Sequence, residues 1–74
     1  MNRFNVTPPA FIVMYAKDVA RVIGKSERTA RELMKDIRKV LGKDRHHLIS
    51  LGEFCKYTGL PEEEVLRRLA DHKH

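Results

Sequence analysis

The chain is poor in the features that mark many small specialised proteins. It has one cysteine, so an internal disulfide framework is excluded, and this usage suits a reducing cytoplasm. No stretch reaches the roughly 18 consecutive apolar residues expected of a membrane span. Residues 1–9 are polar, with one arginine, and lack the shape of a secretory leader. There is no glycine-rich phosphate loop, no clear acid pair and no nucleophile with an evident base, so catalysis finds little support and no cofactor is implied. At 74 residues the chain makes one small domain with a modest core and marginal stability.

What it does have is charge of one sign in one place. The formal net charge is +5. Residues 16–45 hold ten Lys/Arg against five Asp/Glu, whereas residues 46–74 hold four against five. A basic surface attracts phosphate, but it would serve an anionic membrane or an acidic protein equally well.

Along the chain, residues 1–9 end in Pro8-Pro9 and read as a flexible arm, 10–71 as the domain and 72–74 as a flexible tail. The apolar run 11–15, Phe-Ile-Val-Met-Tyr, reads as a buried strand. Residues 17–23 follow as a short helix with Val19, Ala20, Val22 and Ile23 on its apolar stripe, stopped by Gly24. Ser26 is positioned to cap a second helix over 27–41. Ala30, Leu33, Met34, Ile37, Val40 and Leu41 share one side of that helix at the helical period. Arg28, Arg31, Lys35 and Lys39 share the other, with Arg38 flanking them and Glu32 among them. Gly42 is the stop signal. Residues 43–50 read as a turn and a short strand able to pair with 11–15, the strand and turn together forming a wing. Ser50 and Glu53 have capping-box spacing ahead of a third helix over 51–57, and Pro61 with Glu62–Glu64 opens a fourth that frays beyond Asp71.

A faint repeat relates the two halves. With Gly24 aligned on Gly59, Val19 and Ala20 match Phe54 and Cys55, and Ala30 and Met34 match Val65 and Leu69. The second helix of the first unit begins Ser-Glu-Arg-Thr-Ala-Arg and that of the second Pro-Glu-Glu-Glu-Val-Leu. Three adjacent carboxylates repel phosphate, so the first unit alone is the candidate for nucleic acid. The second is expected to pack or to face protein.

A helix, a tight turn and a longer helix with one basic face is the arrangement that places a helix in the major groove of DNA. On this reading Glu27, Arg28, Arg31 and Lys35 face the groove, where arginine grips guanine through two acceptors and glutamate accepts from cytosine. Thr29 lies at the edge of the face, beside a phosphate or a thymine methyl. Lys25, Arg38 and Lys39 suit phosphates, which position rather than specify, and so do Lys43 and Arg45 of the wing. The plainer alternative is a structural helical pair with a solvated charged face. Local pairing accounts for that face incompletely, because Arg28–Glu32 is a favourable spacing and Glu32–Asp36 an unfavourable one. His46 and His47 invite a metal reading, but adjacent strand residues point to opposite faces. Cys55 reads as core, and no metal is expected.

Residues 15–31, YAKDVARVIGKSERTAR, resemble the small winged helix-turn-helix proteins of the excisionase and MerR-like class found on bacterial mobile elements. The resemblance covers roughly residues 12–50. It implies that the helix over 27–41 enters the major groove with Arg28 and Arg31, and that 43–47 is a wing carrying Lys43 and Arg45. It further implies a directionality factor in DNA recombination or a small regulator of transcription, with integrase or RNA polymerase as partner. The chain departs from the class in a long second helix, in Ala16 where Ser or Thr would cap better, and in the extra helical pair over 51–70.

The expectation is thus an α+β, mainly helical domain: a winged helix-turn-helix with a small hairpin or two-stranded sheet and an additional C-terminal helical pair. It is expected to be a non-catalytic, cytoplasmic and nucleoid-associated protein that binds double-stranded DNA and self-associates on it. The rival is a non-catalytic protein-interaction domain without intrinsic DNA binding.

Overall fold

The helical period of residues 27–41 becomes the longest element of the computed structural model, which describes residues 9–44 and 46–70. A short 3-10 turn, Pro9–Phe11, leads into strand β1, Val13–Met14. Helix α1, Ala16–Ile23, and helix α2, Glu27–Leu41, follow; strand β2, Ile49–Ser50, then leads directly into helix α3, Leu51–Thr58, and helix α4, Glu62–Ala70. Among the described residues the architecture is four helices with one small two-stranded antiparallel sheet, a mainly helical α+β fold. The two strands are joined across α1 and α2 rather than by a tight turn, with Val13 opposite Ser50 and Met14 opposite Ile49.

The apolar run over 11–15 is only partly strand. Its first residue closes the 3-10 turn, where the Ile12 amide donates to the Pro9 carbonyl, and only Val13 and Met14 join the ladder. The Leu51 amide donates to the Ile12 carbonyl and so prolongs the tie between the segments. The strand expected within 43–50 likewise shrinks to Ile49–Ser50, and His46 and His47 lie in the turn before it. Of the arm expected over 1–9, Pro9 belongs instead to the 3-10 turn; residues 1–8, the tail and the fraying expected beyond Asp71 lie outside the described residues.

The ends of the helices follow their local chemistry. Ser26 Oγ accepts from the Thr29 amide, capping α2. At α3 the Glu53 amide donates to Ser50 Oγ while the Ser50 amide donates to Glu53 Oε1, a reciprocal capping box. Ala16 offers no cap to α1, but Asp18 supplies part of one: its Oδ2 accepts from the Tyr15 amide at 2.9 Å. Gly24 ends α1 at φ +68°, a left-handed conformation, and lets the Lys25 amide donate to the Ala20 carbonyl. Replacing Gly24 with alanine meets no steric obstacle but strains this backbone. We expect Gly24→Ala to destabilise the protein by about 1 kcal/mol, read as a lowered urea midpoint at unchanged slope.

The core is Met14, Val19, Val22, Ala30, Met34, Ile37, Ile49, Leu51, Phe54, Cys55 and Val65, all buried. Both halves contribute equivalent positions: Val19 and Ala30 of the first correspond to Phe54 and Val65 of the second, and all four are fully enclosed. Leu60, Leu66 and Leu69 pack against this core from the second pair. Val40 and Leu41 depart from the periodic expectation. Val40 is 68% exposed and Leu41 sits at the margin of exposure, because α2 packs chiefly on the much shorter α1 and its last turn projects past that support. The second pair is tied to the first through Arg68 of α4, whose guanidinium donates to the Val22 carbonyl at 2.8 Å and, through Nε, to Glu64 Oε2. One of the unpaired carbonyls at the end of α1 is thereby satisfied from 46 residues away.

Candidate nucleic-acid interface

Because α2 leans on one side only, most of its circumference is open. Glu27, Arg28, Thr29, Arg31, Lys35 and Lys39 are all exposed on it, Lys25 is exposed in the turn before it, and Arg38 is half-buried. The helical spacing of Arg28, Arg31, Lys35, Arg38 and Lys39 sets them along one flank and the outer face of α2, with Glu32 and Asp36 beyond its far edge.

The side chains are not equally available. Arg31 donates through a terminal nitrogen to Glu27 Oε1 at 3.3 Å, one turn back on the helix, with Arg31 63% exposed. This exposed pair is worth only a few tenths of a kcal/mol, so a phosphate or base can displace it. Arg28, Lys35 and Lys39 make no ion pair among the described residues. The Thr29 hydroxyl is shared with the cap, accepting from Ser26 Oγ at 3.2 Å. Arg38 is oriented by donating its Nε to the His47 carbonyl at 2.8 Å, which leaves the outer fork of the guanidinium unassigned.

The segment after α2 is held against the body of the protein. Lys43 Nζ lies 2.6 Å from Glu53 Oε2 and donates to the Leu48 carbonyl. Two of its three donors are therefore engaged inside the molecule, which makes Lys43 first of all a brace for the 43–48 turn. Arg45 lies outside the described residues. His47 Nδ1 faces Asp44, and the His46 amide donates to the Asp44 carboxylate, so these two histidines belong to the turn's own hydrogen bonding. Among the described residues no group of His, Cys, Asp and Glu has metal-binding geometry. Cys55 is buried, and that burial pushes its thiol pKa up, with Glu62 adding to the effect.

The Lys43 hydrogen bond and the Ser50 amide hold the Glu53 carboxyl below the usual glutamate range. A depressed carboxylate pKa stabilises the fold fully above its unfolded value of about 4.3, and that contribution is lost as pH falls through the folded value. We therefore expect stability to decline with acidification below about pH 4.3. Glu53→Gln keeps a side chain able to complete the capping box but removes the charge. It should cost about 0.5–1 kcal/mol at neutral pH and show a shallower acid limb, measured by thermal melts across a pH series.

Two hollows border the basic flank. One of about 160 Å³ is bounded by Lys35, Arg38, Lys39 and Lys43. The other, of about 370 Å³, runs between α2 and the start of α1, with Arg31, Lys35 and Arg38 on its rim. The smaller hollow brings together four of the residues expected to meet DNA; Lys25, Glu27, Arg28 and Thr29 stand apart from both. Sequence reasoning missed Tyr15 and Leu48 as surface features of the larger hollow. Tyr15 ends an apolar run and reads as a core-edge aromatic, Leu48 reads as a strand residue, and neither pattern distinguishes a core position from the lip of a groove.

No helix among the described residues is long and apolar enough to cross a membrane. Comparison with known protein families, with curated proteins and with solved structures finds no match.

Proposed function

We propose that this protein binds double-stranded DNA sequence-specifically through α2, as an excisionase-like directionality factor in recombination or as a small transcription regulator. The observation that carries the reading is the open basic flank of α2, capped at both ends and unsupported on its outer side. A helix held by one face to a small body can enter a groove about 12 Å wide without the body colliding with the phosphate walls. Arg28 and Arg31, near the start of α2, read base edges. Lys25, Lys35, Arg38 and Lys39 meet phosphates, while Lys43 holds the 43–48 turn beside them. Glu27 sets the rotamer of Arg31 before contact and is freed to accept from cytosine on binding. The protein acts without catalysis, by organising DNA beside an integrase or by occupying an operator within reach of RNA polymerase. Self-association on DNA would enlarge the small contact area of one domain.

Selection from randomised duplexes followed by sequencing tests this. An enriched motif that disappears in an Arg28→Ala/Arg31→Ala variant is the expected result. Absence of enrichment, with no duplex binding even at low salt, overturns it and leaves a protein-interaction domain as the better reading.

A further inference from the structure

The larger hollow beside α2 combines two chemistries that one duplex surface does not satisfy together. Its floor is apolar and includes the methionines Met14 and Met34 with Ile49. Its lip carries Tyr15 and Leu48, which are 59% and 57% exposed. The sheet register places them together. Tyr15 directly follows β1 and Leu48 directly precedes β2, at the same end of the Met14–Ile49 pair, and both line the hollow. The rim is cationic, with Arg31, Lys35 and Arg38, and no carboxylate among the described residues lines the hollow. Among the described residues the one carboxylate paired with the rim is Glu27, in its exposed contact with Arg31.

A phosphate backbone would match the rim but leave the apolar floor unfilled. A purely apolar segment would match the floor but strand three cations. A volume of about 370 Å³ lies at the low end of sites that enclose a ligand, roughly 300–1,000 Å³, and suits one or two large apolar side chains. We infer that this groove docks a short acidic amphipathic segment of a protein partner, two apolar anchors entering between Tyr15 and Leu48 while flanking carboxylates meet Arg31, Lys35 and Arg38. Helical segments present such anchors one turn apart. Arg31 and Lys35 also belong to the DNA-facing flank, so an occupied groove excludes the duplex. This second statement rests on the DNA reading; the docking itself does not.

Methionine methyl groups report on the floor directly. The chain has three methionines, and two of them, Met14 and Met34, line the groove. The full-length protein with labelled methionine methyls is titrated with a synthetic peptide carrying Phe and Leu four positions apart among Asp and Glu. A control peptide has the same charges with Ser in place of Phe and Leu. Saturable shifts of the Met14 and Met34 signals are expected with the first peptide alone. Leu48→Glu and, separately, Tyr15→Ser should weaken binding at least about tenfold in proteins whose spectra remain folded, a loss of about 1.4 kcal/mol. Both substitutions are at exposed positions, so one variant serves if the other fails to fold. No shift, equal shifts with the control peptide, or affinities unchanged in the folded variants would each overturn the docking. A duplex added to the peptide complex then separates the two ideas. Displacement of one by the other is expected; methyl shifts from the peptide with no duplex binding at low salt would reject the DNA reading and the exclusion while leaving the docking in place.

Discussion

Phe54→Ala is expected to leave the protein largely unfolded. Phe54 is fully buried and is the largest enclosed side chain of the core. It comes from α3, which touches the 3-10 turn, both strands and α4, so the void would lie where the sheet meets the second helical pair. Truncating a buried phenylalanine to alanine costs about 3–5 kcal/mol, because transfer free energy is lost and the cavity relaxes only in part. A domain of this size has stability at the lower end of the usual 5–15 kcal/mol or below it. The substitution thus consumes most of it. Urea unfolding followed by circular dichroism should show the midpoint moving close to zero denaturant at room temperature. A midpoint within a few tenths molar of the parent would mean that α3 is not the keystone of this core.

The second large effect concerns Arg28 and Arg31. Each bidentate arginine–guanine contact contributes about 1–3 kcal/mol of discrimination, so the double alanine variant should lose roughly two orders of magnitude or more against a selected site. The two contributions differ in origin. Arg28 has no ion-pair partner among the described residues, whereas Arg31 must first release Glu27, an exposed contact worth a few tenths of a kcal/mol. Arg28→Ala should therefore cost slightly more than Arg31→Ala if their base contacts are equivalent. Lys39→Ala, by contrast, should weaken specific and random duplexes alike and reduce the salt slope by about one, as expected of a phosphate contact. Binding measured at several salt concentrations separates the two patterns. Equal losses on specific and random DNA for all three variants would show that α2 supplies attraction without readout.

Much of this architecture was legible in the residues because its causes are local. The span of α2 was expected as 27–41 and is found as Glu27–Leu41, because Ser26 accepts an orphan amide at one end and Gly42 accommodates a left-handed backbone at the other. The Ser50–Glu53 box could be read from spacing alone, since both of its hydrogen bonds close within one turn. The repeat was legible for a similar reason: each glycine turn permits its two helices to meet, and Val19 with Ala30 and Phe54 with Val65 become enclosed, while Ala20 and Leu69 stay half-buried.

The sequence by itself determined, to within a residue, where α1, α2 and α3 begin and end, which side of α1 turns inward, and on which element the positive charge is concentrated. Only the tertiary structure decided which members of a periodic pattern are covered. Val40 satisfies the spacing of an apolar face yet is exposed, because burial requires a neighbour and α1 is too short to provide one along the whole of α2. Lys43 carries the charge expected of a phosphate contact yet braces a turn, because Glu53, ten residues away, arrives beside it only when β2 joins β1. Arg68 reaches the end of α1, and Tyr15 meets Leu48 at a groove, through separations that no local pattern encodes. Capping and periodicity depend on neighbours within a turn or two, whereas coverage, ion pairing and grooves depend on which distant segments the folded chain brings into contact.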